Sequence, residues 1–135
     1  MAGPALSIFD ISSRAMSAQL VRLNTTASNL ANAGSISGSE QSAFRALKPV
    51  FRTVTGADGT ATVAVDRIAA SPVAPTRRHD PGHPLADADG DVFVAAVDGA
   101  AELVEMLETA RQYQNNVQVL QTAKSLVNET LRLGQ

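Results

Sequence analysis

The sequence predicts an α+β, mainly α chain in which long N- and C-terminal helices form an antiparallel coiled coil around a small β-rich insert. Three observations predict it. Apolar residues recur at heptad spacing near both ends of the 135 residues, and they lose that period in the middle. Aromatic residues make up only 4%, so Ala, Val and Leu must supply the buried area, as they do in long packed helices. The expected divisions are 1–34 for the first helix, 35–97 for the insert and 98–135 for the last helix.

The first helix is expected from about Leu6 to Ala33. Phe9, Met16, Leu23 and Leu30 stand seven apart, and Leu6, Ser13, Leu20 and Ala27 precede them by three. Together they form a seam with one weak site, Ser13. Pro4 precedes the segment, and Gly34 follows where a left-handed terminating glycine belongs. The other face carries Ser12, Ser17, Gln19, Asn24, Thr25, Thr26, Ser28, Asn29 and Asn32 rather than Lys and Glu. Such residues favour helix weakly. Being uncharged, they can be covered at modest desolvation cost if they find hydrogen bonds. The face reads as one meant to be covered by other subunits.

The last helix is expected from about Asp98 to Gly134. Leu103, Met106, Ala110, Tyr113, Val117, Leu120, Lys124, Val127 and Leu131 alternate steps of three and four, and only Lys124 breaks the apolar character. Asp98 suits the N-cap. Glu102, Glu105 and Glu108 early, with Arg132 late, suit the helix dipole. A second stripe, Val119, Leu126 and Leu133, lies off this seam, so one partner helix cannot cover both.

In the insert, Phe44 to Val54 reads as an edge or bulged strand because of Pro49. Gly56 to Gly59 reads as a turn, and Thr62 to Ile68 alternates as a strand does. Pro72, Pro75, Pro81 and Pro84 predict an irregular loop, and Val92 to Val97 is a short apolar run.

Composition excludes several function classes. A net charge of −2 argues against a nucleic-acid partner, and no cysteine means no disulfide or thiolate chemistry. No apolar run approaches a membrane span, and the first ten residues lack the basic and apolar regions of a cleaved signal peptide. Asp87 to Asp91 invites a calcium-loop reading, but with Gly90 at the sixth position Leu85 and Ala96 occupy liganding positions, so a solvated turn is preferred. His79 and His83 are separated by Pro81 and Gly82, which exclude a shared helical face. No catalytic set, cofactor motif or metal set stands out.

Several stretches resemble the flagellar axial proteins, most closely those of the proximal rod. Leu23 to Asn32 is similar to the rod-protein signature, and Asp80 to Gly90 to a stretch typical of the proximal rod. Tyr113-Gln114 to Val117, Val119 to Lys124 and Leu131 to Gly134 resemble the C-terminal helix of these proteins. The chain departs from the family pattern at Asp91, usually aromatic, at Ala95-Ala96, usually Pro-Asn, and at Asn115, usually Ala.

The resemblance implies a structural subunit of the basal-body rod, not an enzyme, with no cofactor. It implies unfolded export by the flagellar type III apparatus, without a cleaved signal, to a rod that crosses the periplasm and carries torque to the hook. The implied partners are other rod subunits, copies of the chain itself and the export apparatus, with no nucleic acid and no membrane insertion. The residues expected to carry assembly are Phe9, Met16, Leu20, Leu23, Asn29 and Leu30 in the first helix. In the last they are Leu103, Met106, Tyr113, Val117, Val119, Leu120, Leu126, Val127 and Leu131. Before neighbours dock, the termini are expected to stay largely disordered. The alternatives are a different axial rod subunit, a stable two-helix adaptor or chaperone, or a small enzyme.

Overall fold

The computed structural model describes residues 4–135, with side chains from Ser7 onward, so the Leu6 seam position lies outside the described side chains. Helix α1 (Pro4–Ala31) starts at Pro4 itself, which a first-turn proline permits. Past its end Gly34 takes φ +78°, a conformation costly for other residues, and turns the chain into the β region. Helix α2 (Gly99–Leu133) is capped by Asp98, whose Oδ1 accepts from Ala100 N (3.0 Å) and Ala101 N (3.2 Å).

Between the helices run β1 (Ile36–Ser37), β2 (Leu47–Thr55), β3 (Ala61–Ala70), β4 (Thr76–His79) and β5 (Asp91–Val94). β2 and β3 form an antiparallel hairpin, closed where Gly56 N donates to Thr60 O at 2.8 Å. Pro49, opposite Ile68, sits on a strand paired only on one side, where its missing N–H does little harm. The register shifts between Val50 and Phe51, which pair with Arg67 and Val65, leaving Asp66 as the extra bulge residue. The second sheet has order β1-β5-β4, antiparallel throughout.

The expectation of a mainly helical chain with a small insert is corrected. The chain is 47% helix and 22% strand, with a substantial antiparallel β region between its two helices. Part of that region was hidden. β4 lies where prolines predicted an irregular loop, and all four of its residues are exposed, so burial leaves no alternating pattern to read. Its pairing with β5 is a backbone and side-chain matter, built around Asp91.

The core is thin. Six apolar residues are buried among those described, and five of them, Ala18, Ala43, Ala46, Ala95 and Ala123, are alanine; Val92 is the sixth. Burial stabilises by about 25 cal/mol per Å² of apolar area, so a core of alanines contributes little per residue. Helix α1 packs on α2 and on both hairpin strands, whereas α2 packs on no element except α1.

Candidate assembly surface

The two helices run antiparallel, as three cross-pairings establish. Asn29 reaches Glu102 (3.2 Å), Arg22 Nε reaches Glu105 (2.6 Å), and Gln19 Nε2 donates to Gln112 Oε1 (2.8 Å). Position along one helix rises as position along the other falls.

In α1 alternate positions of the expected seam face the partner helix and the others are displaced by one residue, whereas in α2 six of its nine residues are half-buried and three are exposed. In α1, Met16, Leu23 and Leu30 are half-buried, but Ser13, Leu20 and Ala27 are exposed. Their neighbours Ser12, Gln19 and Thr26 are buried or half-buried instead. In α2, Met106, Tyr113, Leu120 and Val127 are half-buried, yet between them Thr109 (0% exposed) and Ala123 (5%) are the fully buried residues. Lys124 is exposed because Ala123, not Lys124, lies on the seam. Small and polar side chains allow close approach of the backbones, at the cost of a weaker seam. One polar atom there, Gln19 Oε1, is buried with no hydrogen-bond partner among the described residues.

The remaining expected interface residues divide by surroundings. Phe9 and Val117 are half-buried, whereas Leu103, Val119, Leu126 and Leu131 are exposed. Two exposed residues were missed from the sequence: Val104 (67% exposed) and Leu107 (65%), on the side of α2 away from α1. The signal was there, in three apolar residues at 103, 104 and 107 where one seam needs only one or two.

Asn29 is not on an outer face at all. At 1% exposure it joins three elements. Its Nδ2 donates to Leu47 O (2.9 Å) and to Glu102, and its Oδ1 accepts from Leu47 N at 2.7 Å. The carboxamide thus pairs with β2 as a neighbouring strand would and closes that edge. Thr25 and Thr26 are buried close by, so much of the neutral polar face of α1 is covered by the chain's own β region and α2; Ser17 and Asn24 remain exposed.

Beside Asn29 a cleft of about 510 Å³ opens between α1, α2 and β2, lined by Arg22, Asn29, Lys48, Phe51, Glu102 and Glu105 among others. Of its charged groups Arg22 pairs with Glu105, and Glu102 accepts from Asn29 Nδ2. The arrangement fastens elements together.

In the outer sheet, Asp91 on β5 is bracketed by β4: it forms an ion pair with Arg77, and His79 Nδ1 lies 2.8 Å from its Oδ1. The hydrogen bond with His79, and then Arg77, holds the Asp91 carboxyl below the usual carboxylate range, against burial that pushes it up. Asp91 raises Arg77 in turn. Gly90 precedes Asp91 at φ +78°, and a Cβ there would meet His79 and Pro81 at 3.1 Å. Asp87 Oδ1 accepts from Asp89 N (3.0 Å) and Asp91 N (2.9 Å), which makes the acidic run a side-chain-closed turn. His83 caps its own loop, its Nδ1 accepting from Leu85 N at 3.1 Å.

Both helices match known families. Residues 9–34 match the model described as flagella basal body rod protein, and 94–133 that described as flagellar basal body rod FlgEFG protein C-terminal. The chain is 45% identical to the flagellar basal-body rod protein FlgC of Salmonella typhimurium and 46% identical to that of Escherichia coli, in each case over 96% of this chain and 98% of the relative. Its likeness to the same protein of Aquifex aeolicus is 34%, over 90% of each. With identity of this order along nearly the whole length, the chain belongs to the FlgC family of flagellar basal-body rod proteins.

Proposed function

We propose that the chain is a non-enzymatic building block of the rod, polymerising through α1 and α2 while the β region forms an outer body. In this reading residues 1–34 and 98–135 make the inner layer and 35–97 the outer one. One observation carries it. The two segments matched by rod-protein families are the two helices of one antiparallel layer, and α2, packed only on α1, leaves Val104, Leu107, Leu126 and Leu131 uncovered. Exposed apolar side chains grouped at each end of one helix suit contact with neighbouring molecules.

The neighbours are copies of the chain and other rod subunits, reached by export through the flagellar type III apparatus without a cleaved signal, in a rod that spans the periplasm. The thin alanine core supports coupled folding and assembly: the free chain has little buried apolar area to hold long helices, and neighbours supply the rest. Torque is then carried by many interlocked helices rather than by any single strong bond.

The test is deletion of the gene in a flagellated bacterium, with complementation by a tagged chain. The deletion strain should be non-motile, and the tagged chain should restore motility and co-purify with basal bodies. A motile deletion strain, or basal bodies lacking the chain, overturns the reading.

A further inference from the structure

Helix α2 packs on no element except α1, so within the chain the seam between them alone decides whether α2 is docked. Gln19 stands near the middle of α1 on that seam. Its Nε2 donates to Gln112 Oε1 at 2.8 Å, but its own Oε1 is buried with no hydrogen-bond partner among the described residues. Turning the carboxamide over does not cure this, because the buried end then becomes an orphaned N–H donor.

Other buried polar groups of the two helices are satisfied. Thr109, fully buried on α2, donates from Oγ1 to Glu105 O at 2.8 Å. Asn29, at the far end of the seam, uses both ends of its carboxamide. The defect belongs to Gln19. An orphaned buried acceptor weakens closure of the pair by about 5- to 150-fold, and the bond to Gln112 returns only about fivefold. An apolar side chain of the same size would carry neither effect and would bury more apolar area.

We propose that Gln19 is a brake on helix pairing: its orphaned carboxamide keeps α2 from docking firmly on α1 until neighbouring subunits add contacts of their own. The inference rests on the coupled folding and assembly proposed above, and it assigns the control of that coupling to one side chain.

Gln19→Met removes the orphan at nearly constant volume, and Met favours helix about as well as Gln, so a change in helix content reports docking. Gln112 stays half-buried and keeps its bond to Glu108. In the free full-length chain the ratio of docked to undocked α2 should rise several-fold, up to about 30-fold, read by far-UV circular dichroism and by protection of α2 from protease. Incorporation into basal bodies, and swimming, should fall. Gln19→Leu should repeat both effects. Adding Ala123→Gly weakens α2 by about fivefold at a seam position that is 5% exposed, beyond a neighbour's reach. It should lower the helix content again and restore swimming, a rescue that a Gln19 merely touching a neighbour would not allow. If both free variants show no more helix than the parent, or gain helix and still assemble as the parent does, the proposal is overturned. A parent chain already fully helical when free refutes coupled folding itself, and basal bodies that lack the chain refute the rod reading; both results are visibly different.

Discussion

Asn29 offers the sharpest test of how the helices are held to the β region. Asn29→Ala removes three hydrogen bonds, two to the backbone of Leu47 and one to Glu102. Each is worth about 1 kcal/mol net, and orphaned buried partners add to the loss. Here the adjoining cleft lets water reach Leu47, which reduces that second part. The expected loss is about 2–3 kcal/mol, or roughly a 30- to 150-fold easier opening of this junction. Hydrogen exchange of the Leu47 amide in the assembled rod, where α1 is ordered, reads it directly: protection should fall by that factor, while Val54 and Thr62 within the hairpin change little. Asn29→Asp keeps an acceptor for Leu47 N–H but sets a carboxylate against Leu47 O and Glu102, so it should be worse at neutral pH and recover in acid. If Leu47 exchanges equally fast in rods of the parent chain and of Asn29→Ala, the bracket is not formed on assembly and the reasoning fails.

Three other outcomes are expected. Among the described residues all α-helix lies in α1 and α2, so far-UV circular dichroism of the free chain should fall well short of 47% helix and rise on assembly; full helicity with protease-resistant termini would refute coupled folding. Leu120→Glu puts a charge on the half-buried α1-facing row of α2 and should abolish motility, whereas His83→Ala removes one bond on a surface loop and should leave swimming intact. Asp91→Asn should lower stability at neutral pH. Because its carboxyl titrates below the usual range, the Asp91 contribution is complete above that range and lost as pH falls through the lowered value, so acid titrations of variant and parent should converge in strong acid.

Helix existence, the Asp98 cap, the Gly34 stop and the bulged, Pro49-bearing hairpin were all readable, because each depends on local chemistry at known positions. The second sheet was not. β4 has four exposed residues and two flanking prolines, and its place is decided by a carboxylate on a distant strand that brackets Arg77 and His79. No local pattern encodes that. Asn29 was singled out only as an outward contact, since hydrophobic periodicity ranks polar residues as outside; its burial follows from the β2 edge it completes.

The one-residue displacement of part of the seam shows where periodicity alone falls short. A heptad reading assigns every residue of the seam to the partner helix, so Leu20, Leu103 and Leu131 were placed inward and Lys124 stood as a flaw. At these points the chain does the reverse: Ser12, Gln19, Thr26, Thr109 and Ala123 face inward, and Leu20, Leu103 and Leu131 stand exposed. Leucines at these rim positions are half available to the partner helix and half to a neighbouring molecule. A compact hairpin has no use for that division, since turning the leucines inward would bury more area and leave no orphaned Gln19 oxygen. Under the proposed coupled folding a subunit gains from it, because Leu20, Leu103 and Leu131 are left for contacts with neighbours.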